Sequence, residues 1–201
     1  MLALPNVSVT GEVVRLPLPR ESGGIPLFRA LRERQSSRTF SERDLAPDDL
    51  SGLLWAAFGM NRPDGHRTAP SAHDCQEIDV YAALRQGLYV FDPHDHALRQ
   101  VHAYDIRGET GQQDYVATAP LNLIYVADLS RMKALDRTEQ RFYSAIDAGF
   151  ISENVYLFCA SEGLATVVRG LIDRRALAKR MKLRPQQRII VAQCVGYPAQ
   201  S

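Results

Sequence analysis

Little in this chain calls for a covalent staple, a bilayer or a polyanion. Three cysteines, Cys75, Cys159 and Cys194, occur in 201 residues. An odd number with no CxxC pair is neither a disulfide framework nor a zinc knuckle. No apolar run approaches the roughly 18 residues that span a membrane. No charge of one sign dominates, since 24 Lys and Arg face 23 Asp and Glu for a formal net charge of +1. That balance argues against a dedicated nucleic-acid binder. The stretch Met1 to Pro19 has no basic start, and Pro5, Pro17 and Pro19 interrupt it, so it does not read as a secretory signal. The expectation is a cytoplasmic protein, unless a leader was removed before residue 1. The signatures GxGxxG, GxxxxGK[ST], HExxH and GxSxG are all missing, as are internal repeats and low-complexity tracts.

What is present is an ordinary globular composition, 45% hydrophobic and 23% charged. The length suits one domain that buries a core without cross-links. Residues 1–24 read as an extended arm that ends in Ser22-Gly23-Gly24, and 25–201 as the domain. Pro26 suits a first helical turn. Leu27, Phe28, Ala30 and Leu31 then form an apolar stripe on a helix that should end near Gln35. A second helix is predicted from Pro47, with Asp48 and Asp49 in its first turn and Gly59 as its cap. The buried face would be Leu50, Leu53, Leu54, Ala57 and Phe58. A polar loop, 61–76, leads into β structure. Strands are predicted over 78–84, 88–91, 98–104 and 121–127, with a turn at Asp92-Pro93-His94-Asp95. The strongest helix spans Arg137 to Glu162 and is apolar nearly all round, which implies burial on every side or packing on a partner subunit. A short helix follows over 173–181 with Asp173 as N-cap, then a last strand over 187–195. Helices, strands, helices and a strand in that order make an α+β pattern.

Candidate chemistry falls in three clusters. Arg34-Gln35-Ser36-Ser37-Arg38 offers guanidinium forks and hydroxyls, which suit a phosphate, or is a solvated basic helix end. Ala69-Pro70-Ser71-Ala72, with Asp74 and Gln76 beyond, is an ordinary polar loop or a small-residue approach to a flat ligand. Ser161-Glu162-Gly163-Leu164 is a helix cap, or a turn whose N–H groups face a ring nitrogen and carbonyl. His94-Asp95-His96 reads as an exposed turn rather than a metal site. Cys159 and Cys194 read as inert buried thiols. Cys75 lies in a polar loop with no obvious activating base.

In this order and spacing, the three clusters resemble the nitroreductase family of FMN-dependent oxidoreductases. The family's RRSxRxF appears as Arg34-Gln35-Ser36-Ser37-Arg38-Thr39-Phe40. Its PSxxNxQPW, or PSAG in the thiazoline- and oxazoline-oxidase branch, appears as Pro70-Ser71-Ala72-His73-Asp74-Cys75-Gln76-Glu77-Ile78. The central helix ending in Gly-Leu and the final strand ending in G-x-P at Pro198 extend the resemblance over about 25–198, and the spacing within the β region is closer to the shorter oxidase-like branch. The resemblance implies an α-β sandwich with a central antiparallel or mixed sheet, dimerising through a long buried helix. Two FMN molecules would lie in the interface of a homodimer, with NADH or NADPH as reductant and a small molecule as acceptor. Neither nucleic acid nor membrane would be a partner. Arg34, Ser36 and Arg38 would hold the phosphate and ribityl end. Pro70, Ser71 and Ala72 of the other subunit would line the ring system, with Gln76 in the same motif. Backbone N–H groups of Glu162 and Gly163, beside Leu164, would face N5 and O4.

The motif also departs from the family. Gln35 replaces an Arg, and Asp74 and Glu77 put acid where Asn and Pro are usual. Only three residues follow Pro198 where many members carry a basic segment, which leaves Arg169 as a candidate substitute on the phosphate. The resemblance names no obligatory catalytic acid or base, because the flavin carries the redox chemistry. Two other readings stay open: a flavin-dependent dehydrogenase of azoline rings, and a flavin-binding dimer without catalysis.

Overall fold

Alternating side chains after residue 77 build a hairpin ladder that becomes the centre of one sheet. The computed structural model describes residues 11–20 and 22–199. Its strands are β1 (Val13–Arg15), β2 (Ile78–Leu84), β3 (Gly87–Asp92), β4 (Ala97–His102), β5 (Leu121–Asp128), β6 (Ala165–Arg169) and β7 (Gln187–Gly196). They lie in the order β1-β4-β3-β2-β5-β7-β6, and every neighbouring pair is antiparallel. The helices are α1 (Leu27–Glu33), α2 (Pro47–Phe58), α3 (Arg137–Glu162) and α4 (Arg174–Arg180).

Both faces of the sheet are covered, so its central strands are buried on both sides rather than alternating in and out. On β2, Ile78, Val80 and Ala82 pack with Leu53, Leu54, Ile151 and Val155 of α2 and α3. Tyr81 and Ala83 point the other way, into a second cluster with Ile124, Leu177 and Met181 beneath α4. The fold is thus the α+β sandwich expected, with a wholly antiparallel sheet.

Local chemistry sets the helix bounds. Pro47 starts α2, and Asp48 and Asp49 sit in its first turn. Asp136 caps α3 by accepting from Thr138 and Glu139 N–H, while the Glu139 side chain accepts the Asp136 N–H. Gly163 ends α3 in the left-handed region at φ 69°, a conformation that disfavours a Cβ. Asp173 caps α4 through Ala176 N–H.

Several expectations need correcting. The helix of α1 stops at Glu33, two residues early, and of its apolar stripe only Ala30 is buried; Leu27, Phe28 and Leu31 are exposed. The long helix is not buried on every side, because Phe142, Ile146 and Phe150 form an exposed stripe. The strand β6 was not anticipated, being five residues directly after a helix cap. Within the expected extended arm, β1 pairs with β4 and so belongs to the sheet. The first ten residues of that arm lie outside the described residues. Among the described residues, no helix is long and apolar enough to cross a membrane.

Candidate functional site

The segment after α1 is pinned where three elements end. Arg34 N–H closes the helix on Ala30 O at 2.8 Å. Ser37 N–H donates to Thr166 O of β6 at 2.9 Å, and Ser41 N–H to Tyr197 O at 2.9 Å. Phe40 bridges to Pro198 just past β7. Between these anchors, Ser36 Oγ lies 2.8 Å from Tyr156 Oη. The same Tyr156 oxygen accepts Val168 N–H at 2.9 Å. The Arg34 guanidinium sits over the Tyr156 ring, 5.3 Å from its centre, a cation–π contact that holds the side chain without neutralising it.

Arg34 and Tyr156 border a cleft of about 530 Å³, lined also by Gln35, Ser37, Gly163, Leu164, Thr166 and Pro198 among others. The volume lies in the range of small-molecule sites. Among the described residues Arg34 has no carboxylate partner, so its donors are available to an anion, as FMN's phosphate would require. A larger cleft of about 880 Å³ opens between the start of α3 and the start of β7, lined by Lys133, Arg137, Arg141, Arg184 and Arg188. None of the sequence motifs reaches it.

The structure separates the other candidates. Arg38 is exposed. The carboxylate of Glu162 pairs with Arg20 Nη2 at 2.7 Å and borders a different cleft of about 430 Å³ with Gly24, Trp55 and Asn154. Two assignments need correction. The N–H of Gly163, expected to face the ring system, turns back to Cys159 O beside that of Leu164, so it is committed to the helix cap. Arg169 is buried and donates to Thr110 O, to Thr110 Oγ1 at 2.7 Å, to Asn122 Oδ1 at 2.8 Å and to Cys194 Sγ at 3.2 Å. It ties β6 to β5, β7 and the 110 turn, and its guanidinium has no reach left for a phosphate.

The Pro70–Ala72 loop lines none of these clefts. It rests on the middle of α3, where Ala72 N–H donates to Asp147 Oδ2 at 2.9 Å. Ser71 Oγ accepts Gln76 N–H at 2.8 Å and donates to Glu77 Oε2 at 3.3 Å. Gln76 is buried, receiving Arg67 Nε at 2.9 Å and donating to Asp74 Oδ1 at 3.0 Å. His73, Asp74 and Gln76 all have positive φ, so this short loop is locally strained and held by those bonds.

Two carboxyls lie beneath it. Burial, with the Asp147 charge adding to it, raises Glu77 to about 7. Burial also moves Asp147 upward. The acid at position 77 is therefore largely protonated below neutrality and adds less negative charge than its residue type implies. Burial and the acids Glu77, Asp147 and Asp74 push the Cys75 thiol up, away from a reactive thiolate. At the 92–97 turn, His96 Nε2 meets Ser51 Oγ at 2.7 Å. No group of three His, Cys, Asp or Glu among the described residues could hold a metal ion.

Tyr156 and Asp147 escaped the sequence reading. Both fall on the buried stripe of α3 with Ser144, Ile151, Val155 and Cys159. A polar tip or an acid in phase with an apolar stripe is the signal that would have found them.

Comparison with known proteins adds to this geometry. The model of the family described as "Nitroreductase family" matches residues 31–197. A curated relative, "Putative nitroreductase MJ1384" of Methanocaldococcus jannaschii, is 27% identical over 184 residues, covering 87% of this chain and 92% of that protein. A solved structure from Ralstonia eutropha JMP134, described as a "putative nitroreductase", aligns with a TM-score of 0.91 at 44% identity. That alignment covers 100% of this chain and 96% of the other. The NADPH:FMN oxidoreductase of Vibrio harveyi, solved with NAD+, shares the fold at a TM-score of 0.65 and 20% identity, covering 87% of this chain and 69% of that one. Since the family model spans most of the length, the chain belongs to the nitroreductase family.

Proposed function

We propose that the chain binds FMN in the cleft at the end of α1 and works as an NAD(P)H-dependent reductase of small electron acceptors, such as nitroaromatics or quinones. Family membership supports the general oxidoreductase role. The observation that carries the cofactor assignment is the Arg34–Ser36–Tyr156 cluster. Among the described residues its guanidinium has no carboxylate partner and is held over the Tyr156 ring at a cleft, and the Ser36 hydroxyl bonds to the same tyrosine. Arg34 would grip the phosphate, and Ser36 and the Ser37 segment would hold the polyol. When bound, FMN supplies the hydride chemistry, and the protein orients and surrounds it.

A second copy of the chain completes the site in this reading. Phe142, Ile146 and Phe150 on α3 are exposed, as are Leu27, Phe28 and Leu31 on α1, a helix that contacts α3. Apolar faces of this kind mark protein–protein contacts. Gly149 lies on the same stretch of α3 with open space where a Cβ would be. Nothing inside the protomer requires glycine there, although glycine weakens a helix interior. Close approach of a partner helix would account for it. The partner's face would bring its own Pro70–Ala72 loop to the open side of the cleft.

An absorbance spectrum of the purified protein tests this reading. The expected sample is yellow, releases FMN on denaturation and bleaches with NADH or NADPH. The double change Arg34→Ala, Arg38→Ala should weaken FMN binding at least about a hundredfold, since a charge-assisted hydrogen bond contributes about 1.5–3 kcal/mol. A colourless, folded protein that FMN does not stabilise would refute it. Flavin that stays oxidised with both nicotinamides would leave a flavin-binding protein without this reductase activity.

A further inference from the structure

Glu77 sits at the foot of β2 with no exposed surface. Its Oε2 receives the Ser71 hydroxyl at 3.3 Å. Its Oε1 is buried and has no hydrogen-bond partner. The carboxylate of Asp147 on α3, only 2% exposed, accepts the N–H of Ala72 at 2.9 Å, the residue next to Ser71, so both carboxyls lie beneath the same two loop residues. Two carboxylates sharing one site away from water do not both ionise. An ionised Glu77 would also leave its buried Oε1 without a donor. Both difficulties vanish if Oε1 carries a proton and donates it to Asp147.

We propose that Glu77 and Asp147 share one proton, with Glu77 as donor and Asp147 as acceptor, and that this proton positions the Pro70–Gln76 loop. Asp147 stays ionised and holds Ala72 N–H, while the protonated Glu77 bridges Asp147 to Ser71 and so to Gln76 N–H. Losing the shared proton sets two like charges against each other beneath the loop and loosens it. Both carboxyls are positioning residues.

The charged neighbours do not relieve the pair. Arg67 is engaged by Gln76 and by Phe58 O. Arg131 is engaged by Gln76 O and by Asp79 Oδ1. Asp74 lies on the same loop and bonds the Gln76 amide, and His73 packs edge-on against Tyr143 of α3. On the β5 side, Asp128 donates its backbone N–H to Glu77 O, and its carboxylate pairs with Arg184 and Arg131. Among the described residues no cation forms an ion pair with Glu77 or Asp147. That the loop serves the flavin rests on the function proposed above, but the proton itself does not.

The test uses flavin-free protein, so the failure of that reading would not affect it. Infrared spectra across about pH 5 to 8 should show one protonated buried carboxyl that shifts in heavy water and disappears as pH rises. The band should be absent from Glu77→Gln and should vanish at lower pH in Asp147→Asn. Hydrogen exchange of the 70–77 segment should rise with pH more steeply than the intrinsic rate in the wild type. In Glu77→Gln, whose amide still donates to Asp147, it should follow the intrinsic rate. A wild-type spectrum without the band, or a band that persists in Glu77→Gln, would overturn the assignment. Equal exchange profiles in the two proteins would overturn the positioning role.

Discussion

Burying Glu77 has a cost that depends on pH. Its folded-state value of about 7 lies above the ordinary 4.5. Below about 4.5 both states are protonated and the cost is absent; it grows as pH rises and is complete above about 7. The shift corresponds to about 3 kcal/mol of stability lost across that window. Urea unfolding at several pH values should therefore show the wild type losing stability relative to Glu77→Gln between those limits, with little divergence beyond them. Equal pH slopes would place the proton elsewhere. At this scale the sequence was partly legible. Arg34, Ser36 and Ser71 stood out because their residue types cluster within a few positions. Tyr156 and Asp147 did not, because their partners Ser36 and Ala72 lie 120 and 75 positions away. Arg169 was misread for the same reason: its acceptors come from Thr110, Asn122 and Cys194, and only the folded sheet gathers them.

Among the elements, α3 combines the strongest local signals with the most informative exception. Its bounds follow from an aspartate cap, a glutamate three residues on and a left-handed glycine, all legible in sequence. Asp136→Ala should remove the oxygen that accepts two N–H groups, and with it half of the reciprocal cap. The expected loss is about 1 kcal/mol, seen as a lower thermal midpoint with no change in the spectrum of any bound cofactor. A much larger loss would mean that the start of α3 nucleates more than its own helix. Periodicity could show that α3 is apolar almost all round, but not which apolar face meets the core. The sheet takes Ala148, Ile151 and Val155, and leaves Phe142, Ile146 and Phe150 outside. The strand β6 was hidden because Ala165–Arg169 is short and directly continues a helix cap. Its pairing with β7 is entirely non-local.

For the whole molecule, the outward faces of α1 and α3 are the feature that a lone protomer does not explain. Phe28 is 85% exposed and Phe142 60%. Sedimentation should find the wild type as a dimer, and Phe142→Glu with Phe150→Glu should give a folded monomer. The same pair of changes should weaken FMN binding if a second copy completes the cleft. A wild type that sediments as one chain would remove the partner from the proposed site. The α+β class and antiparallel ladder were legible because hairpin turns and alternation are local, whereas the burial of both sheet faces emerges only from how α2, α3 and α4 close over it. The two buried thiols have a further use. Cys159 and Cys194 have no exposed surface in the native state, and Cys194 is locked between Arg169 and Asn122. Alkylation of either would record excursions that open the core, while Cys75 is only half-buried in the closed molecule. The chain thus carries its own clock for spontaneous unfolding, readable by mass spectrometry without any engineered label.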